Sequence, residues 1–190
     1  MNASASARKS EQRRRFRSLR SEQLPLVETR IVEKVQTTLL ERFNQTVPGL
    51  HVGLFWPLPG EPDLRPLREQ LPLSFALPAC AEAGALHYHP WSSHPLSKDP
   101  CGIPAPLDEP KLAAESLGLL LIPALAVDLQ GIRLGYGGGF YDRLRSLPSW
   151  KRVLALAVLP QACVSEQPLP RETWDVALDG WITEKGLSLL

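Results

Sequence analysis

The sequence is poor in cysteine, and its cysteines show no pairing pattern. Cys80, Cys101 and Cys163 are odd in number and far apart, with no Cys-x-x-Cys, which argues against a disulfide framework or a zinc site. Apolar runs are short as well. None approaches the roughly 18 residues of a membrane span, and no apolar leader segment follows the basic stretch near the start, so a cytoplasmic chain is expected. Excess charge of one sign is also missing. Lys and Arg number 21 against 20 Asp and Glu, a net +1, which excludes a generally basic nucleic-acid protein. Lone Ser, Cys and His residues suggest no nucleophilic triad. His87 and His89 alternate along a short apolar segment with His94 beyond them, but no further ligand follows at metal-binding spacing.

At 190 residues, with 44% apolar and 22% charged residues, the chain reads as one globular domain, residues 8–190, behind a disordered start over residues 1–7. The charge it has is segregated. Residues 8–20 hold Arg8, Lys9, Arg13, Arg14, Arg15, Arg17 and Arg20 against Glu11 alone, so the remainder is acidic. This segment has three readings: a solvated helix ending near Leu19, a nucleic-acid arm using Arg13, Arg17 and Arg20 on one helical face, or a phosphate-binding element.

Ser21 is suited to cap a second helix, with Pro25 in its first turn. Val27, Ile31, Val35 and Leu39 recur every four residues, which predicts a long helix over residues 22–43 with one apolar stripe. Strands are predicted at 52–56, 73–77, 86–88, 119–122, 153–158 and 181–183, with a helix at 63–71 between the first two. The runs at 119–122 and 153–158 are continuously apolar, as strands buried on both faces are. Six prolines between Pro90 and Pro110 mark a loop. Alternating strands and helices predict an α/β fold.

The most informative stretch is Gly-Ile-Arg-Leu-Gly-Tyr-Gly-Gly-Gly-Phe-Tyr-Asp-Arg, residues 131–143. Four glycines, Gly135, Gly137, Gly138 and Gly139, allow positive φ and close approach of a ligand to the backbone. Amide N–H groups leading into a helix over 140–147, with Arg133 beside them, suit a phosphate, and Asp142 one turn on suits the accompanying magnesium. The alternative is a flexible glycine turn. Two better-known phosphate loops do not fit. No lysine lies between Lys111 and Lys151 to complete a Walker A loop, and Phe140 stands where a dinucleotide fingerprint needs its third glycine.

With the upstream Ile122-Pro123-Ala124-Leu125-Ala126-Val127-Asp128, this stretch resembles the signature of the 5-formyltetrahydrofolate cyclo-ligases, also called methenyltetrahydrofolate synthetases. That signature runs apolar-Pro-x-x-Ala-x-Asp, then Gly-x-Arg-Leu-Gly-x-Gly-x-Gly-Tyr-Tyr-Asp, with Phe140 here in place of the first tyrosine. The resemblance implies a single three-layer α/β domain, a Rossmann-like and mostly parallel sheet with helices on both faces. It implies ATP- and magnesium-dependent closure of 5-formyltetrahydrofolate to 5,10-methenyltetrahydrofolate, with release of ADP and phosphate.

By the same resemblance, Arg133 and Tyr141 stand at the reaction centre. ATP falls to Lys9, Arg13, Arg133, Gly135, Tyr136, Gly137, Gly138, Gly139, Phe140 and Tyr141. Folate falls to Trp56, Glu61, Tyr136 and Phe140, and magnesium to Asp142 and Asp175, the latter preferred to Asp179. Family members start with basic residues four apart; alignment on Leu19 and Glu22-Gln23 puts one at Lys9 but Ala5 at the other, with Arg8 or Arg13 as substitutes. Ala105 stands where many members carry glutamate, within Gly102-Ile103-Pro104-Ala105-Pro106. A monomer without nucleic-acid or membrane partners is expected. The alternatives are a divergent paralogue with another substrate and a non-catalytic nucleotide- or RNA-binding protein.

Overall fold

A computed structural model describes residues 5–43 and 49–190. It opens on one helix, α1 (Ala5–Phe43), of 39 residues, about 58 Å long at 1.5 Å per residue. The expected break at Ser21 does not occur, and Pro25 lies inside the helix. Proline there removes one i→i−4 bond, while burial on both sides of it, through Phe16, Arg20 and Leu24 before and Val27 and Ile31 after, holds the axis. Of the stretch expected to be disordered, residues 1–4 lie outside the described residues and Ala5 to Ala7 begin α1.

Strands β1 (His51–Gly53), β2 (Ser74–Cys80) and β3 (Leu86–Pro90) follow, with the short helix α2 (Leu67–Gln70) after β1. The proline-rich segment folds into a small hairpin of β4 (Ser97–Lys98) and β5 (Pro104–Ala105). Next come β6 (Leu117–Pro123), β7 (Ala126–Asp128) and β8 (Arg133–Leu134), then helices α3 (Phe140–Ser146) and α4 (Pro148–Lys151). The chain ends through β9 (Leu154–Val158), β10 (Val164–Ser165), β11 (Gly180–Thr183) and β12 (Gly186–Leu189).

Seven strands form the main sheet in the order β12-β11-β9-β6-β1-β2-β3. Its five inner strands are parallel, and β3 and β12 are antiparallel edges. The apolar runs are buried on both faces. Along β6, Leu119 and Leu121 pack with Ile31, Val35 and Leu39 of α1, whereas Leu120 and Ile122 pack with Leu144 of α3 and Trp150 of α4. The result is the expected three-layer α/β arrangement. Strand order reverses between β1 and β6, so their carboxyl ends diverge and leave a crevice of the kind in which open α/β sheets bind ligands.

Candidate active site

The segments that leave β1 and β6 both contribute walls to a cavity, through Phe55 to Glu61 and through Pro123 and Arg133 onward. After β6 the chain enters a separate small sheet, β10-β7-β8, whose turn is pinned by Asp128. This carboxylate is buried; Oδ1 accepts from the Gln130 and Ile132 amides at 3.0 and 2.9 Å, and Oδ2 from the Leu169 amide at 2.9 Å. The signature aspartate thus holds the scaffold that delivers Arg133 and the glycine segment. Arg133 donates to the Pro123 carbonyl at 3.3 Å and to Asp142 Oδ2 at 3.1 Å, beneath the loop. A Cβ on Gly135 would come within 2.6 Å of that guanidinium, so any larger residue there would have to shift Arg133. Gly137 needs its freedom for φ +109. Arg143 ties the loop from its other side, donating to the Gly138 carbonyl at 2.6 Å and the Gly84 carbonyl at 2.9 Å.

The first half of α1 overhangs the sheet and reaches this loop. Arg13 Nε donates to the Gly135 carbonyl at 3.0 Å, and Lys9 is ion-paired with Asp175. Arg20 is buried, donating to the Ala124 carbonyl at 3.1 Å and the Tyr136 hydroxyl at 2.5 Å, with its guanidinium 5.4 Å from the Tyr136 ring centre. Glu61, on the segment after β1, lies 3.9 Å from Arg20. Its Oε2 accepts from the Leu58 amide at 2.8 Å, while Oε1 is buried with no hydrogen-bond partner. Burial pushes the Glu61 carboxyl above its usual range, against the Leu58 amide, the Tyr136 hydroxyl and Arg20, which pull it down. Burial likewise raises the Tyr136 and Tyr141 phenols, so both stay protonated at neutral pH.

These groups enclose one cavity of about 650 Å³. Every residue expected at the site lines it: Lys9, Arg13, Trp56, Glu61, Arg133, Gly135, Tyr136, Gly137, Gly138, Gly139, Phe140, Tyr141, Asp142 and Asp175. The arrangement gathers the cations Lys9, Arg13 and Arg133 around the glycine loop, and lines the same cavity with the Glu61 carboxylate and the rings of Trp56, Tyr136 and Phe140.

The model of the 5-formyltetrahydrofolate cyclo-ligase family matches residues 5–184. The chain belongs to that family. It is similar to a 5-formyltetrahydrofolate cyclo-ligase of Escherichia coli K12, 32% identical over 161 residues that cover 77% of this chain and 84% of the relative. A cyclo-ligase of Haemophilus influenzae is 42% identical over 77 residues, 37% of this chain and 40% of that protein. Among solved structures, 5,10-methenyltetrahydrofolate synthetase of Aquifex aeolicus superposes with a TM-score of 0.77 at 31% identity, covering 96% of this chain and 92% of the other. The synthetase of Mycoplasma pneumoniae, 16% identical with a TM-score of 0.68, shares the fold.

For a cyclo-ligase family member, several local assignments sharpen. Asp179 is committed elsewhere: it pairs with buried Arg145 at 3.1 Å and accepts from the Ala155 amide at 2.8 Å, whereas Asp175 faces the cavity. Arg13 and Arg20 point into the cavity and the core, which takes two of the three arginines away from a nucleic-acid face. Asp63, the second acid after β1, is held by Arg65 at 2.7 Å. Ala105 is fully buried in the β4–β5 hairpin. His89 and His94 both bond Glu109, one to its carbonyl and one to its carboxylate.

Sequence reasoning overlooked Arg20 as a site residue, although its helical phase with Arg13 was visible. It also overlooked the approach of Cys80, Asp99 and Cys101, three groups of the cavity wall with no spacing signal between them.

Proposed function

We propose that this chain is an ATP- and magnesium-dependent 5-formyltetrahydrofolate cyclo-ligase of the cytoplasm, forming 5,10-methenyltetrahydrofolate, ADP and phosphate. The observation that carries this reading is a single cavity holding both the arginine-braced glycine loop and the buried Glu61 carboxylate, whose Oε1 has no hydrogen-bond partner. A phosphate chain and a donor-rich ring are the two ligands the reaction must bring together.

The formamide oxygen is a poor leaving group, so N10 cannot displace it directly. Transfer of the terminal phosphoryl group to that oxygen makes it leave as phosphate when N10 closes the ring. Such transfer needs positioning and charge neutralisation more than a protein nucleophile, which fits a site without a Cys, Ser or His constellation. Arg133, Arg13 and Lys9, with the loop amides, hold the phosphates and offset their charge. Glu61 accepts from the pterin ring, with Trp56 and Phe140 as its apolar walls, and Tyr141 braces Arg133 from 5.2 Å. The donor set also suits magnesium. Asp142 and Asp175 engage their cation partners through Oδ2, leaving Oδ1 of each for a hydrated ion beside the phosphates, whose charge it would help neutralise.

The test is a titration of 5-formyltetrahydrofolate, with and without ATP and magnesium, followed at the methenyl absorbance. Equal amounts of methenyl product and ADP are expected, and neither without ATP. Gly137→Val is expected to fold yet lose ATP binding roughly a hundredfold, from about 3 kcal/mol of backbone strain. ATP consumed without methenyl product would assign the loop to another substrate, and unchanged calorimetric ATP affinity in Gly137→Val would move the nucleotide elsewhere.

A further inference from the structure

The cavity wall also carries a group of side chains that the cyclo-ligase reading does not use. Cys80 ends β2, and Asp99 and Cys101 lie in the turn between β4 and β5. Their sulfur and carboxylate oxygen atoms all fall within 4.8 Å of one another, and all three residues line the cavity. The carboxylate is fixed in place by backbone amides: Cys80 N–H reaches Oδ2 at 2.7 Å, and the Cys101 and Ile103 N–H groups reach Oδ1 at 2.9 Å each. One aspartate therefore ties the end of β2 to the tip of a hairpin and brings the two thiols together. Asp99 is buried, and no Lys, Arg or His pairs with it among the described residues.

We infer that Cys80, Asp99 and Cys101 form a site for one thiophilic divalent cation of the zinc class, with three protein ligands and a fourth position open to the cavity. Two sulfurs and one carboxylate with an open position is a donor set that zinc accepts and magnesium does not. The amide bonds to Asp99 act as the supporting shell that ligating carboxylates require. Binding is proton-balanced: each thiol gives one proton to solvent as its sulfur takes the metal, so two protons leave per cation. The site is separate from the Asp142 and Asp175 pair in both residues and ligand chemistry.

Cobalt serves as the probe, added to the reduced, chelator-treated full chain. A sulfur-to-cobalt charge-transfer band saturating at one cobalt per chain is expected, with two protons released in weakly buffered solution. Zinc should displace the band and excess magnesium should leave it intact. Cys101 is exposed, so Cys101→Ser should keep its melting temperature and lose the band; Cys163→Ser, altered at a buried cysteine outside the cavity, should keep it. No band in the parent chain, or a band surviving Cys101→Ser, overturns the inference. So does loss of two titratable thiols to a disulfide, without cobalt uptake, under reoxidation.

Discussion

The two halves of α1 share one helical backbone and make different contacts. From Leu24 to Leu39 the helix presents an apolar stripe to the sheet, where Ile31, Val35 and Leu39 are fully buried. From Lys9 to Arg20 it extends cations to distant partners: Lys9 to Asp175 and Arg13 to the glycine loop in the cavity wall, and buried Arg20 to Tyr136 and Ala124 behind it. The first kind of contact is non-directional and grows with area, so it shows as periodicity. The second depends on partners more than a hundred residues away and leaves no local pattern. A helix that stabilises with one half and binds with the other should respond to mutation in two separable ways.

The largest expected effect falls on the packing half. Ile31→Ala removes a fully buried side chain, at a cost of about 3 kcal/mol. The melting temperature should fall by roughly 6–12 °C for a domain of this size, while ATP and folate affinities at low temperature stay unchanged. Weakened ATP binding in a folded Ile31→Ala chain would break the division. Next comes the cavity half. Arg13→Ala should raise the ATP requirement roughly tenfold, about 1.4 kcal/mol for a charge-assisted hydrogen-bonding group, with little change in melting temperature. A loss of stability comparable to that of Ile31→Ala would mean that the basic segment is as structural as the stripe.

A third variant separates Lys9 from its partner. Asp175→Asn removes the charge that Lys9 now neutralises, and it should raise the magnesium needed for half-maximal rate severalfold with folate affinity nearly intact. Asp142→Asn should do the same while also loosening Arg133. A magnesium dependence unmoved in both would leave these carboxylates as ion-pair partners alone.

The parts legible in sequence were those with local causes. All six expected strands are present with shifted ends, because continuous apolar runs and proline stops mark sheet interiors without marking where pairing begins. The glycine loop announced itself because Gly137 and Gly139 hold positive φ, which L side chains rarely adopt, and their clustering is visible in sequence. The unbroken α1 was not legible: Ser21 and Pro25 look like a helix start, and only burial on both sides of them overrides that signal. The hairpin of β4 and β5 hid among prolines, and with it the meeting of Cys80, Asp99 and Cys101, since Asp99 reaches the Cys80 amide across 19 residues. Strands β7 and β8 were missed because they are two or three residues long and owe their pairing to the Asp128 turn.

The smallest expected effect lies where the two halves of α1 meet, at Arg20 and Glu61. Burial holds the Glu61 carboxyl above its ordinary value of 4.5, with the Leu58 amide, the Tyr136 hydroxyl and Arg20 opposing. A raised folded-state pKa means that the native chain binds this proton more tightly than the unfolded chain does. The stabilisation is complete below about pH 4.5 and is lost as pH rises through the folded-state value, above which a buried ionised carboxylate must be carried. Glu61→Gln has no such proton, so its melting temperature relative to the parent should rise with pH across that window and then level off. Taking the difference between the two chains cancels the titration of groups they share. With 5-formyltetrahydrofolate bound the sign should reverse at neutral pH, because the parent then pairs Oε1 with a ligand donor and the variant loses that charge. A difference flat in pH would mean that Arg20 already compensates Glu61 fully, making their contact a packing feature of the helix. A slope that appears without folate and inverts with it would instead assign Glu61 to the ligand, and Arg20 to holding it between the packing half of α1 and the binding half.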